Sequence, residues 1–444
     1  MKTAFFQSFE DPSDREETPY RLSAIQEELT KNKLSGYVVP HSDVHQGEYI
    51  AACDERLSWL TGFTGSAGIC FVSKEKAGIF VDGRYGIQAK KQTKSPFEVI
   101  HWNKQNILQW IKKNIVKGKI GFDPWLHSYT EIATLRNAFT NSSISFTPSN
   151  NLIDRVWSDR PAKVSKQAIS YPVKLAGLSA KEKCRQIAKA LELKQADSAV
   201  ITLPDSIAWL LNLRGNDVIH NPIVHAFLII HSEGNIELFC NNNLIINSIS
   251  GLESFIKVFP LENFEMSLSE LNGSVLVDEA TVPFAAATIL QNNGGEIILG
   301  EDPIILPKAC KNKVELENAR ICHERDAIHM CEFLSWIDRR DENEIDEIDV
   351  VIELENIRRK DKNLKEISFD TIAASGPNAA LPHYRVNYSS NRKIKKGDVL
   401  LVDSGGQYLD GTTDITRTIA IGKQSEDVKN AFTRVLKGLI SISM

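Results

Sequence analysis

No stretch of the 444 residues reaches the roughly 18 consecutive apolar positions that a membrane-crossing helix needs, so a spanning protein is not expected. The seven cysteines, at positions 53, 70, 184, 240, 310, 322 and 331, contain no CxxC pair. That argues against a zinc ribbon, a redox motif or a disulfide framework, and the thiols read as reduced and used mostly for packing. Basic residues are not in excess: 52 Lys and Arg face 57 Asp and Glu in mixed-sign segments, for a net charge of -5. Without a basic stripe to neutralise phosphates, nucleic acid is a poor partner, and a small or peptide ligand fits better. The segment Met1–Pro12 carries two acidic residues, one lysine and no sustained apolar run, unlike a secretory leader, so the expected location is the cytoplasm. What is present, 42% hydrophobic and 25% charged residues, is the composition of an ordinary globular chain.

At about 100 to 200 residues per domain, the length implies two to four domains. The first, 1–157, alternates strand-like and helical runs. SGYVVP reads as a strand, ICFVSKEKAGIFVD as two strands around a charged turn, and Ile107, Leu108, Ile111 and Ile115 as a helical face. Pro161 and Pro172 mark a linker between Trp157 and Leu175, after which Ser179-Ala-Lys-Glu182 forms a capping box that opens a helix. The second domain, 158–310, repeats the strand, turn and strand arrangement in AFLIIHSEGNIELFC, as a distant duplicate of the first would. The third, 311–444, begins with a long helix and a second helix over Asp346–Arg359, then turns β-rich.

Chemistry concentrates in that third segment. Asp403 follows the apolar run Val399–Val402, and Asp414 opens the alternating strand that runs to Ile421. Aspartate is depleted in strands because a half-buried charge must be paired, hydrated or metal-bound. A turn cap at Asp403 and an exposed edge position at Asp414 are the plainer alternative. A tight turn at Asp410-Gly411 would set Asp403 opposite Thr418 and the two carboxylates too far apart. To serve ions about 3.5–4 Å apart, the loop must be wider and centred near Tyr408-Leu409, so that the aspartates face each other. His383 is the third candidate, although a lone histidine is more often structural than catalytic. His323 and His329 fall on different faces of a helix. His41-Ser-Asp-Val-His45 reads as a surface loop, and the glycine-rich Gly62–Gly68 stretch, which lacks a P-loop lysine, as a structural turn.

Asp403-Ser-Gly-Gly-Gln-Tyr and Asp410-Gly-Thr-Thr-Asp414-Ile-Thr-Arg-Thr resemble the pita-bread metallopeptidases, specifically the three-domain aminopeptidase P (Xaa-Pro aminopeptidase) family. The resemblance extends through Trp59-Leu-Thr-Gly-Phe-Thr-Gly-Ser-Ala-Gly68, Asp82-Gly-Arg-Tyr85, Asp205-Ser-Ile-Ala-Trp209 and Ser375-Gly-Pro-Asn…His383-Tyr-Arg385. It implies an α/β and α+β fold, with two creatinase-type N-terminal α/β domains before an incomplete pita-bread catalytic domain. By the same resemblance, Asp403 and Asp414 are ligands to two divalent ions, usually manganese in the family's complete site, and His383 contacts substrate and helps proton transfer. The implied reaction removes an N-terminal residue before proline, through a hydroxide activated by the two metals. Peptides with proline at the second position are the implied partners, with homodimerisation implied by resemblance alone.

The family's other ligands, a histidine and two glutamates, lie well beyond the second aspartate, whereas 30 residues follow Asp414 here and include no histidine. On sequence, the chain therefore reads as C-terminally truncated, with little or no activity unless a complementing fragment is supplied, and with full metal occupancy in doubt. The alternatives are a non-catalytic peptide-binding or oligomer-forming protein, a truncated gene product, and another pita-bread hydrolase acting on a small amide.

Overall fold

The computed structural model describes residues 2–241, 254–340 and 344–444. The chain forms two compact units, Ser13–Leu316, and Glu317–Met444 joined by Met1–Pro12.

The N-terminal unit contains two six-stranded sheets. The first comprises β1 (Gly36–Pro40), β2 (Ile69–Ser73), β3 (Ala77–Val81), β4 (Phe97–His101), β5 (Gly118–Phe122) and β6 (Ile144–Pro148), in the order β4-β3-β2-β1-β5-β6. A short ribbon of β7 (Ile169–Ser170) and β9 (Leu213–Arg214) lies outside both sheets. The second comprises β8 (Ser198–Ile201), β10 (Phe227–His231), β11 (Ile236–Phe239), β12 (Ile256–Phe259), β13 (Ser274–Val277) and β14 (Glu296–Leu299), in the order β12-β11-β10-β8-β13-β14.

Strand directions match as well as order. In each sheet the first strand pairs antiparallel with the second and parallel with the fifth, and the outer pairs are parallel. The duplication suggested by a shared strand and turn pattern is thus present as a complete repeated topology. Every residue of β1, β2, β3 and β8 is buried, which is what a sheet covered on both faces requires. The helix Ala180–Leu193 starts at the expected capping box and buries Cys184, Ile187, Ala188 and Leu191.

The loop after β1 departs from expectation. Asp43 is 2% exposed and His45 1% exposed, so this is not a surface loop. His45 stacks on His225 at 4.8 Å and its Nδ1 donates to the Thr202 carbonyl at 3.0 Å, while Asp43 Oδ1 accepts from the His45 and Gly47 amides. Aromatic packing between the two sheet layers covers a polar segment that sequence polarity alone marks as exposed.

In the C-terminal unit a long helix, Lys313–Asp338, and a second helix, Glu347–Arg358, enclose a core with Phe333, Val351, Leu354, Ala373, Leu400 and Val402. Residues 2–12, drawn into the first domain on sequence grounds, pack in this unit. Phe9 is buried in the core, the Gln7 side chain bonds both backbone groups of Thr371, and the Glu355 carboxylate accepts the amides of Phe5 and Phe6. Strands β15 (Leu364–Ile367) and β18 (Gly406–Tyr408) pair, and β16 (Ile372–Ser375), β17 (Val399–Ser404) and β19 (Ile415–Ala420) form a three-stranded sheet with β17 at its centre. The helix Glu426–Ser443 buries none of its residues.

Candidate metal centre

Burial in β17 alternates. Leu400, Val402 and Ser404 face the core, while Val399, Leu401 and Asp403 line the more open face. Asp403 pairs with Ile372 of β16 on one side and with Thr416 of β19 on the other. After Ser404 the chain bends away to pair β18 with β15, then returns through a tight turn in which the Tyr408 amide donates to the Gly411 carbonyl. Gly405 sits at the bend because a Cβ there would lie 1.9 Å from the Thr413 carbonyl oxygen, closer than any side chain allows.

The register differs from the expected one. The turn is tight, with Leu409 and Asp410 at its centre, and Gln407 faces Thr412. The same register sets Asp414 across from Gly405, so Asp403 and Asp414 share a face on the diagonal instead of facing each other. Diagonal neighbours stand about 7–8 Å apart at Cα, within reach of two side chains converging on a pair of ions.

The electrostatics fit a cation. Asp403 Oδ1 is buried and has no hydrogen-bond partner, an expensive condition for an ionised oxygen. Burial lifts the Asp403 carboxyl above the usual carboxylate range. The Asp414 charge pushes the same way, and the Thr416 hydrogen bond and the His383 charge oppose it. A divalent ion would remove both penalties, and hard carboxylate oxygens suit such an ion. Among the described residues no group of three His, Cys, Asp or Glu side chains could hold a metal.

His383 follows the short 3-10 helix Gly376–Ala380, in a loop organised by a buried carboxylate. Glu347, 0% exposed, accepts from the Ser375 amide at 2.7 Å, the Asn378 side chain at 3.0 Å and the Tyr384 hydroxyl at 2.9 Å. Tyr384 is thereby fixed beside His383. Sequence reasoning missed Glu347. Its signal was a glutamate at the start of a helix whose neighbours Ile348, Val350 and Val351 are apolar and buried.

Two descriptions of the creatinase/prolidase N-terminal domain match residues 21–156 and 159–315, and metallopeptidase family M24 matches residues 317–443. A Coccidioides posadasii protein named "Probable Xaa-Pro aminopeptidase P" is 38% identical over 457 residues, covering 98% of this chain and 69% of its own length. The chain belongs to the Xaa-Pro aminopeptidase P family. An aminopeptidase P relative from Ajellomyces dermatitidis, bearing the same name, is 37% identical and has 73% of its length covered. The crystal structure of Caenorhabditis elegans X-prolyl aminopeptidase superposes with a TM-score of 0.86 at 27% identity, covering 92% of this chain and 71% of that one. That protein is described as a cytosolic enzyme with a di-nuclear active site. The family assignment carries the two creatinase-type domains and the pita-bread metallopeptidase fold expected from the sequence.

Proposed function

We propose that Asp403 and Asp414 are two of the ligands to a pair of divalent ions, manganese by resemblance to the family, in a peptidase that removes the residue preceding a proline. The observation that carries this reading is the orphaned Asp403 Oδ1 on the same face as Asp414, in a chain of this family. When bound, such ions supply Lewis acidity and lower the pKa of water. The chain's own residues then have separable tasks. Asp403 and Asp414 offer oxygens from one face of a rigid sheet. His383, held beside the Glu347-anchored Tyr384, contacts substrate and moves a proton. A substrate with proline in the second position lacks an amide N–H at the scissile bond, so the site has one donor fewer to satisfy.

Domain boundaries at 157/158 and 310/311, with residues 2–12 assigned to the third domain, and a homodimer belong to the same proposal. So does a cytoplasmic location, supported by the C. elegans relative described as cytosolic. With two carboxylates and no third ligand grouped among the described residues, the 444-residue chain alone is expected to bind Mn²⁺ weakly and turn over little. The test is Mn²⁺ titration and hydrolysis of an Xaa-Pro peptide by the purified chain and its Asp403→Ala variant. Binding lost in the variant supports the site. Binding that is indifferent to the substitution removes it, and brisk turnover by the unaltered chain overturns the expectation of weak activity.

A further inference from the structure

The hairpin carrying Asp403 and Asp414 is fastened at its turn by two neighbouring residues of the long helix. The Arg325 guanidinium grips Asp410 with both terminal nitrogens, at 2.7 and 2.8 Å, and its Nε donates to Asp361 at 2.9 Å. Asp326 Oδ1 accepts from the Tyr408 hydroxyl at 2.7 Å, and the same carboxylate takes Arg358 Nε at 2.8 Å and Nη2 at 3.0 Å. Thr413 adds a further side-chain hydrogen bond to Asp326. Gly411 lies against Cys322, whose Cβ would stand 3.0 Å from a Cβ added at the glycine. The turn is therefore held on both flanks by residues in helical succession.

This grip opposes what the turn would choose alone. Asp-Gly is a strongly favoured centre for a two-residue hairpin loop, and Asp410-Gly411 is available. That centre would place Asp403 opposite Thr418 and Asp414 opposite Gln407, four positions from alignment, or about 13 Å along the strands. The observed centre, Leu409-Asp410, shortens the offset to two positions and brings the carboxylates to neighbouring sites on one face. In the Asp-Gly register, Asp410 and Tyr408 would each stand at a different point of the turn, and the pairings to Arg325 and Asp326 could not both be kept.

We propose that Arg325 and Asp326 are positioning residues that select the hairpin register bringing Asp403 and Asp414 together, and through it set metal affinity. The proposal rests on the metal-centre reading above. Bidentate guanidinium–carboxylate pairing is directional enough to enforce one register, and an ammonium in the same place is not.

The test uses the full 444-residue chain, with Mn²⁺ as the probe, followed by electron paramagnetic resonance. Amide hydrogen exchange at Gly406, Tyr408 and Thr413 is read in the metal-free protein. Arg325→Met is expected to raise exchange at those three amides, leave β1–β6 unchanged and weaken Mn²⁺ binding about 10- to 100-fold, the range seen when groups that orient metal ligands are removed. Arg325→Lys should resemble Met more than wild type. The exchanged pair Arg325→Asp with Asp410→Arg, made together with Asp361→Asn so that the new carboxylate meets no like charge, should recover part of the affinity. If Arg325→Met fails to fold, Tyr408→Phe, which removes one hydroxyl and no charge, takes its place with the same direction expected.

Unchanged exchange at the hairpin, or unchanged Mn²⁺ affinity in a folded variant whose hairpin has loosened, overturns the proposal. Asp403→Ala separates the two readings. If it abolishes Mn²⁺ binding while Arg325→Met leaves binding intact, the centre stands and the register device falls. If it leaves binding intact, the metal reading fails, and the proposed effect on affinity falls with it.

Discussion

In the N-terminal unit the central strands bury both faces: Cys70, Phe71 and Val72 of β2, and Leu228, Ile229 and Ile230 of β10, are each 0% exposed. Arg56 there pairs with Asp54 at 2.9 Å and Asp154 at 2.7 Å, whereas the buried Asp302 keeps Oδ2 without a hydrogen-bond partner and faces the charges of Asp278 and Glu301. In the C-terminal unit β17 buries one face and leaves Asp403 on the other with an unsatisfied oxygen. The first arrangement is what stability alone selects. The second costs stability unless a cation arrives, and its turn is held by ion pairs to a helix instead of by apolar packing. Incomplete compensation alone does not single out Asp403, since Asp302 shares it; what sets Asp403 apart is a second carboxylate, Asp414, on the same face of the sheet.

The largest effects should come from cutting each region's own support. Arg358→Met leaves the Asp326 carboxylate buried beneath Tyr408 without its paired cation, which should cost about 3–5 kcal/mol and unfold the C-terminal unit at lower urea, read by the exchange of its protected amides. Ile229→Ala, in the middle of the second sheet, should cost about 2–5 kcal/mol through lost burial and a cavity, with the loss confined to the N-terminal unit. Equal sensitivity of both units to both substitutions would erase the distinction.

A pH titration sharpens it further, because the N-terminal unit contains one polar cluster between its layers. Burial pulls the His45 imidazole down to about 3, with the His225 charge adding and the Asp43 charge opposing. Burial works against the Asp43 carboxylate, yet its bond to His225 and the nearby imidazoles hold it well below the usual range. A folded pKa below the unfolded value of about 6.5 means that the unfolded chain takes up the proton first. Stability is therefore complete above about pH 6.5 and is lost as pH falls toward 3, by at most about 1.4 kcal/mol per unit. His45→Phe, which keeps a ring between His225 and Phe227, should flatten that slope in thermal denaturation between pH 6.5 and 4.

Much of this was legible from residue order, and the exceptions are instructive. The capping box at Ser179 and the strand character of Gly36–Pro40 are local, and local signals survive folding. Asp403 and Asp414 stood out because a charge in a strand breaks a local rule. Their diagonal register was not legible, since the turn that sets it is pinned by Arg325 and Asp326, about 80 residues away and read only as part of a helix. His45 was misread for the same reason: the rings that cover it, His225 and Phe227, belong to the other sheet.

The smallest expected effect tests the comparison most directly. Asp403→Asn keeps the shape of the side chain and an oxygen that can accept from Thr416, but removes the charge that burial and Asp414 both disfavour. In metal-free buffer the variant should be more stable than the unaltered chain by about 1 kcal/mol, the scale of an unsatisfied buried polar group. Added Mn²⁺ should reverse the order, because binding to the folded state stabilises only the chain that retains the carboxylate, by an amount that grows with the logarithm of one plus free metal over its dissociation constant. A carboxylate that served merely as a turn cap would show the opposite sign without metal, since the uncharged amide is a weaker partner for backbone N–H groups. The sign of that one difference, measured by denaturant unfolding with chelator and then with Mn²⁺, decides whether Asp403 is kept for the fold or in spite of it.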